Sequence, residues 1–500
     1  LIIFFAVMVG VGFYSRRHVK SVDGFVLGGR SVGPWLTAFA YGTSYFSAVV
    51  FVGYAGQFGW KYGIASTWIG IGNALIGSLL AWVVLGRRTK VMTQHLRAKT
   101  MPDFFGQRYG SKALKIVASV IVFVFLIPYT ASVYNGLSRL FGMAFNIPYT
   151  WCVIAMAVFT AIYVILGGYM ATAINDFIQG IIMLFGIVAV IASVLNGQGG
   201  FMEAVSKMAQ IPSDVPATMG QPGAFTSFFG PDPLNLLGVV ILTSLGTWGL
   251  PQMIGKFYAI KDEKSINTGT VISTLFAIVI SGGCYFLGGF GRLFDSAEIY
   301  NAETGAVVYD SIIPSMLSKL PDILIGIVVV LVLSASMSTL SSLVLTSSST
   351  MTLDLLKDNI MKEMSEKKQI ITMQILIVFF IVVSVVIALD PPTFIAQLMG
   401  ISWGALAGAF LAPFLYGLYW KGVTRAGVWA GFIAGVGITV SNMFIGYIAS
   451  PINAGAAAMV AGLVIVPLVS LVTPKLNKED VDEIFTCYEE KVVSTKKRNL

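Results

Sequence analysis

The amino-acid sequence predicts an all-α polytopic membrane protein with about thirteen transmembrane helices. Three observations carry this. The 500 residues are 56% hydrophobic and only 11% charged, where soluble domains carry about 25% charged residues. Mean hydropathy is +0.82. Apolar stretches long enough to cross a bilayer, about 20 residues each, recur along the chain, and Lys and Arg gather in alternate loops. This composition excludes a disordered chain, a disulfide scaffold and a nucleic-acid-binding domain as the main reading.

Span 1 covers 1–15. It is not read as a signal peptide, because Arg16 and Arg17 follow the apolar run instead of preceding it. Span 2 (33–58) enters at Pro34 and reaches the polar run Gly42-Thr43-Ser44-Tyr45-Phe46-Ser47-Ala48. At 1.5 Å per residue this run lies about 15 Å deep, near the midplane, and it suits an unwound segment. Spans 3 to 6 follow at 66–86, 114–142, 149–167 and 175–196. Span 7 (233–258) offers a second break, Gly246-Thr247-Trp248-Gly249-Leu250-Pro251. Spans 8 to 13 fall at 269–290, 321–347, 370–389, 393–419, 426–447 and 453–473, and a charged tail covers 474–500. Two interrupted spans five apart point to an inverted-repeat transporter. The loops 197–232 and 291–320, rich in Gly, Pro and Asp, are expected to cap an external vestibule.

Of the 32 Lys and Arg residues, all but Lys61, Arg139, Lys207, Arg292 and Lys319 fall in the odd-to-even loops and the tail. Lys256, Lys261 and Lys264 are counted there as loop charges. The asymmetry places the N-terminus outside and the tail in the cytoplasm of a multi-pass plasma-membrane protein. The net charge of +8 is then a topology signal, not a nucleic-acid footprint.

Chemistry inside the spans is sparse. Asp176 opens span 6. It reads either as a helix N-terminal carboxylate favoured by the macrodipole or as an intramembrane functional group. Span 9 is the stronger signal. Eleven of the seventeen residues from Ser334 to Thr350 carry hydroxyls. At 100° per residue, Ala335, Ser338, Thr339 and Ser342 share one stripe. Ser and Thr also serve as glue between membrane helices, but eleven exceed what packing needs. A hard monovalent cation wants several neutral oxygens, and broken helices supply the carbonyls among them. If the repeats are inverted, span 2 past its break faces the span-7 break. Tyr45, Ser47, Thr243, Thr247 and Trp248 are then the side chains that bind solute, with Trp248 packing over it.

Enzymatic and metal motifs fail their tests. There is no GxxxxGK[ST], no HExxH and no GxSxG, and His18 and His95 lie in basic loops. Cys152, Cys284 and Cys487 are scattered and form no metal or disulfide pattern. A transporter, not an enzyme, is expected. A hard monovalent cation is its expected coupling ion, identified as Na+ by the resemblance described next, with no organic cofactor; its expected partners are a small solute and the bilayer, with no nucleic acid and no obligate protein.

Three runs carry a family resemblance over nearly the whole chain. They are Leu27-Gly28-Gly29-Arg30-Ser31-Val32-Gly33-Pro34, Ile174-Asn175-Asp176-Phe177-Ile178-Gln179-Gly180 and Ser334-Ala335-Ser336-Met337-Ser338-Thr339-Leu340-Ser341. The chain resembles the sodium:solute symporters, which include the sodium/proline and sodium/pantothenate branches. The resemblance implies a leucine-transporter-like 5+5 inverted repeat. Residues 1–32 are then an additional helix and loop, 33–196 the first repeat (spans 2–6) and 197–232 an external loop. The second repeat (spans 7–11) takes 233–419, two accessory helices 420–473, and the tail 474–500. It also implies a sodium site of Thr43, Phe46 and Ala335 carbonyls with Ser338 and Thr339 hydroxyls. A further sodium is implied at Asp176, Ser341 and Ser342, and Tyr129 is implied as a solute-side residue. Sodium/proline symporters carry Asp, Trp and Tyr where this sequence has Tyr45, Thr243 and Thr247, which makes proline a less favoured solute. Tyr45-Phe46-Ser47-Ala48, Gly249-Leu250-Pro251 and Gly417-Leu418-Tyr419-Trp420 look nearer to the pantothenate branch. The reading is sodium-driven import of a small carboxylate-bearing solute: pantothenate, a monocarboxylate or an amino acid. Sodium/proline symport, proton coupling through Asp176, and a transporter-like solute sensor are the alternatives. Segment 474–500 is too short to be a signalling domain.

Overall fold

The computed structural model describes residues 1–145, 148–390 and 395–489. Residues 393–394 of predicted span 11 and 490–500 of the predicted tail lie outside these. Helices make up nearly all of it. Among the described residues the extended pairings are two isolated bridges, Val32 with Ile260 and Tyr300 with Val307.

Nine helices among the described residues are long and apolar enough to cross a membrane, and ten when the bent pair Pro233–Trp248 and Pro251–Ala259 is taken as one. The figure is below thirteen because helices run on or break. Val49–His95 continues from the second half of span 2 through span 3, and Tyr149–Gly197 holds both spans 5 and 6. Ile2–Ser15 is short at 14 residues, and Pro34–Tyr45 is half of a broken span.

The loop expected between spans 5 and 6 shrinks to one residue. Gly168 has φ 53° and ψ −139° inside Tyr149–Gly197, a conformation that essentially only glycine adopts. A Cβ there would stand 2.6 Å from the Phe25 carbonyl oxygen. The helix resumes at once, so Asp176 lies about two turns into span 6. The expectation that Asp176 opens the helix is overturned. A macrodipole contribution fades within the first turn, so this carboxylate is a buried group inside a span.

Burial separates the helices by role. Span 9 forms Asp322–Thr350 and is buried on all sides from Val328 onward, as expected of a central helix. It packs against spans 4, 5–6 and 2. Span 10 (Glu366–Leu389) instead exposes Ile371, Ile375, Val378, Phe379, Val382 and Val386, an apolar face suited to lipid.

The loops that the basic residues assign to one side do converge. Gly28, Gly29 and Arg30 turn with positive φ of 57°, 69° and 54°. The turn aims the Arg30 guanidinium at the Ala98 carbonyl (2.5 Å) and the Tyr258 carbonyl (3.4 Å). Lys115 Nζ lies 2.9 Å from Asp103, 3.5 Å from Asp354 and 2.5 Å from Asp358. Lys421 reaches Asp482 of the C-terminal helix at 2.6 Å. On the opposite side Arg292 joins Asp214 (2.7 Å) and the Trp60 carbonyl (2.7 Å).

Candidate functional site

The site begins with two interruptions. In span 2, Pro34–Tyr45 ends where Phe46 takes an extended conformation, φ −100° and ψ 93°. The last amide bond of the first half is Phe46 N–H to the Gly42 carbonyl, 3.1 Å. Past the break the amides of Val50 and Phe51 donate to the Ser47 carbonyl. The Ser47 hydroxyl accepts from the Val49 amide at 3.2 Å, capping the restart as an N-cap serine does. Span 7 breaks at Gly249 and Leu250 between Gly246–Trp248 and Pro251–Ala259, with a 40° bend. Pro251 starts the second half, where its missing N–H costs nothing. Both breaks lie inside the predicted segments.

The span-2 break places the Thr43 carbonyl against span 9. Ser338 Oγ lies 3.2 Å from Thr43 O and 3.1 Å from Ala335 O. Thr339 Oγ1 lies 3.2 Å from Thr43 O and 3.1 Å from Ala335 O. Four oxygens from two helices thus cluster in a buried position, with the extended Phe46 three residues along. Each of these residues is at most 2% exposed. No ionisable side chain is among them.

The remaining hydroxyls of span 9 divide. Ser341, Ser348 and Ser349 donate to carbonyls of their own helix, the local bonding that Ser and Thr favour inside helices. Ser342 instead reaches outward. Its Oγ is 2.7 Å from Ser44 Oγ and accepts from Lys256 Nζ at 3.0 Å. The predicted stripe is therefore real at Ala335, Ser338, Thr339 and Ser342, while the hydroxyl count overstated how many residues look across.

Lys256 is a correction. Counted from the sequence as a loop charge, it sits in Pro251–Ala259 and is 3% exposed. Its ammonium lies 4.0 Å from Asp176 Oδ2 and 5.2 Å from the centre of the Tyr169 ring. The assignment of Lys256 to a loop fails here. The signal was available, because Lys256 stands five residues past Pro251, inside the predicted limits of span 7.

A family model described as the sodium:solute symporter family matches residues 25–435. The chain belongs to this family. The sodium/proline symporters of Staphylococcus aureus strains JH9 and NCTC 8325 are each 30% identical over 496 residues, covering 95% of this chain and 92% of theirs. Among solved structures, a substrate-bound outward-open Na+-coupled sialic acid symporter shares the fold. Its TM-score is 0.73 at 15% identity, over 95% of this chain and 97% of that one. Mhp1, a nucleobase-cation-symport-1 transporter in a closed conformation, gives 0.51 at 12% identity, over 92% and 98%. The fold is the leucine-transporter-like inverted repeat, and the protein is a multi-pass sodium-coupled transporter, not an enzyme.

In this symporter the predicted solute-side residues are buried and do not face lipid. Tyr45 is 1% and Trp248 8% exposed. Their polar atoms, however, already have protein partners. Tyr45 OH donates to the Thr243 carbonyl, Thr247 Oγ1 to the Gly77 carbonyl (3.0 Å) and Trp248 Nε1 to the Ile76 carbonyl (2.9 Å). Thr243 Oγ1 bonds back to the Val239 carbonyl at 2.9 Å. These four residues tie the two broken spans to each other and to span 3.

A different group is left open. The Tyr45 ring stacks on Phe46 and on Trp403, with centroids 4.3 and 5.7 Å apart. Tyr129 meets Trp403 edge-on at 5.9 Å. The Tyr129 hydroxyl faces Ser47 and the Trp403 indole, yet neither Tyr129 OH nor Trp403 Nε1 completes a hydrogen bond. Buried donors without partners are costly. Trp403, in Ile395–Tyr419, is the residue that the sequence reading missed. A lone Trp in an apolar span carries no signal until the fold sets it against Tyr45 and Tyr129.

Proposed function

We propose that Thr43 O, Phe46 O, Ala335 O, Ser338 Oγ and Thr339 Oγ1 hold the coupling sodium ion, and that a small carboxylate-bearing solute crosses with it by alternating access. The convergence of Thr43 O, Ala335 O and the two hydroxyls within 3.2 Å carries this reading. Neutral oxygens at an unwound helix suit Na+, and the set offers no titratable group for proton coupling. The solute is proposed to lie between the span-2 and span-7 breaks, against Tyr45, Ser47, Tyr129, Thr243, Thr247 and Trp248. Trp403 joins them, and the unpartnered Tyr129 and Trp403 donors supply its polar contacts. Residues 33–196 and 233–419 are the proposed repeats, and the Lys- and Arg-rich side is the proposed cytoplasmic face.

Two observations bear on the solute. The Staphylococcus aureus relatives at 30% identity are sodium/proline symporters, which supports proline. Tyr45, Thr243 and Thr247 depart from that branch and support pantothenate or a monocarboxylate. Proteoliposome uptake of pantothenate, proline, lactate, sialic acid and glucose, with and without an inward sodium gradient, separates them. Sodium-dependent uptake of one carboxylate is the expected result. Equal uptake without sodium overturns the reading.

A further inference from the structure

Lys256, Asp176 and Ser342 meet where three helices cross. Lys256 belongs to the second half of span 7, Asp176 to span 6 and Ser342 to span 9. All three are at most 3% exposed. The ammonium donates to Ser342 Oγ at 3.0 Å and faces Asp176 Oδ2 at 4.0 Å and the Tyr169 ring at 5.2 Å. Both carboxylate oxygens of Asp176 lack a hydrogen-bond donor, so Lys256 is the charged group that answers them. Ser341, the remaining oxygen implied for a further sodium, turns its hydroxyl to the Ser338 carbonyl at 2.9 Å.

Charge decides what this place can hold. One buried carboxylate and one buried ammonium balance. A sodium ion added to the same oxygens would bring a second positive charge beside the first and would leave the group with a net charge in a low-dielectric surrounding, where unpaired charge is expensive. The ammonium and the Ser44 hydroxyl already crowd the Ser342 oxygen that such an ion would need. A cavity of about 40 Å³ opens beside it, lined by Lys99, Thr100, Tyr169, Gln252, Lys256 and Ser342. That is room for about one water molecule, and it lies toward the basic side.

We infer that the Lys256 ammonium is a built-in cation standing in the place of a further sodium ion, so that the transporter binds and carries one sodium per cycle. Lys256 is thereby a specificity-determining residue for ion stoichiometry. The pair also ties the second half of the broken span 7 to spans 6 and 9. The inference rests on the proposed sodium site at Thr43, Ala335, Ser338 and Thr339, which supplies the one ion counted.

The test counts 22Na+ bound per chain at saturation, on the purified full chain in detergent, with folding checked by size exclusion and thermal unfolding. Wild type should bind one. Lys256→Met, which removes the charge but keeps the bulk, should bind two. Lys256→Met with Asp176→Asn should return to one, and Lys256→Arg should stay at one. If Lys256→Met does not fold, Lys256→Leu, which likewise removes both the charge and the donor to Ser342, carries the same expectation. Two ions in wild type, or one in a folded uncharged variant, overturns the inference and leaves the first sodium site standing. No sodium in wild type overturns the sodium site itself.

Discussion

Ser44 Oγ and Ser342 Oγ lie 2.7 Å apart, with Ser44 one residue past Thr43 and Ser342 three residues, about one helical turn, past Thr339, whose oxygens gather at the break. The same hydroxyl of Ser342 accepts from Lys256. Span 2 therefore touches span 9 at two adjacent polar points, one neutral and one tied to a buried ion pair. A shift of span 2 against span 9 changes both at once, which is the physical requirement for coupling an ion to a conformational change.

Ser338→Ala with Thr339→Ala removes two of the four clustered oxygens. Apparent sodium affinity, read from solute uptake against sodium concentration, should fall more than tenfold, a loss above about 1.4 kcal/mol. An unchanged sodium dependence rejects the assignment.

Tyr129→Phe removes a buried hydroxyl that has no completed bond. It should raise the solute KM several-fold and leave the sodium requirement and thermal stability near wild type. Trp248→Ala loses an indole bonded to the Ile76 carbonyl and should raise KM while also lowering stability. If Tyr129→Phe leaves KM unchanged, the open group at Tyr129 and Trp403 does not bind solute.

Lys115→Met leaves Asp103, Asp354 and Asp358 with no shared cation, and the Asp354 side chain is only 1% exposed. Removing one partner of a buried pair costs about 3–5 kcal/mol. The thermal midpoint in detergent should drop by many degrees. A midpoint within a degree of wild type would show that the cluster is solvated in the working protein.

Gly168→Ala forces a side chain into φ 53° and within 2.6 Å of the Phe25 carbonyl. Strain of this kind costs roughly 1–3 kcal/mol, and the contact adds to it. Lower yield and a lower midpoint are expected. Gly167→Ala is no control, because its Cβ would also meet a neighbour, Ser15 Cβ at 2.7 Å. Gly10→Ala, with nothing within 4 Å, is the neutral comparison.

The sequence by itself determined what depends on short-range pattern. Apolar runs of fixed length marked the spans, because a bilayer imposes one thickness on every helix that crosses it. Gly42 to Ala48 and Gly246 to Pro251 marked the breaks, because Gly and Pro weaken a helix wherever it runs. The stripe of Ala335, Ser338, Thr339 and Ser342 followed from helical periodicity alone. Only the tertiary structure decided the rest. A single positive-φ glycine replaced the loop between spans 5 and 6 and so moved Asp176 from a helix start to a buried interior position. Lys256 looked like one more loop charge until span 7 bent and carried it between Asp176 and Ser342. Trp403 became part of the candidate site through its stacking on Tyr45. These three outcomes depend on which helices meet and at what height. Periodicity within one helix carries no information about that, because the partner of a buried charge or an open indole lies eighty or more residues away in the chain.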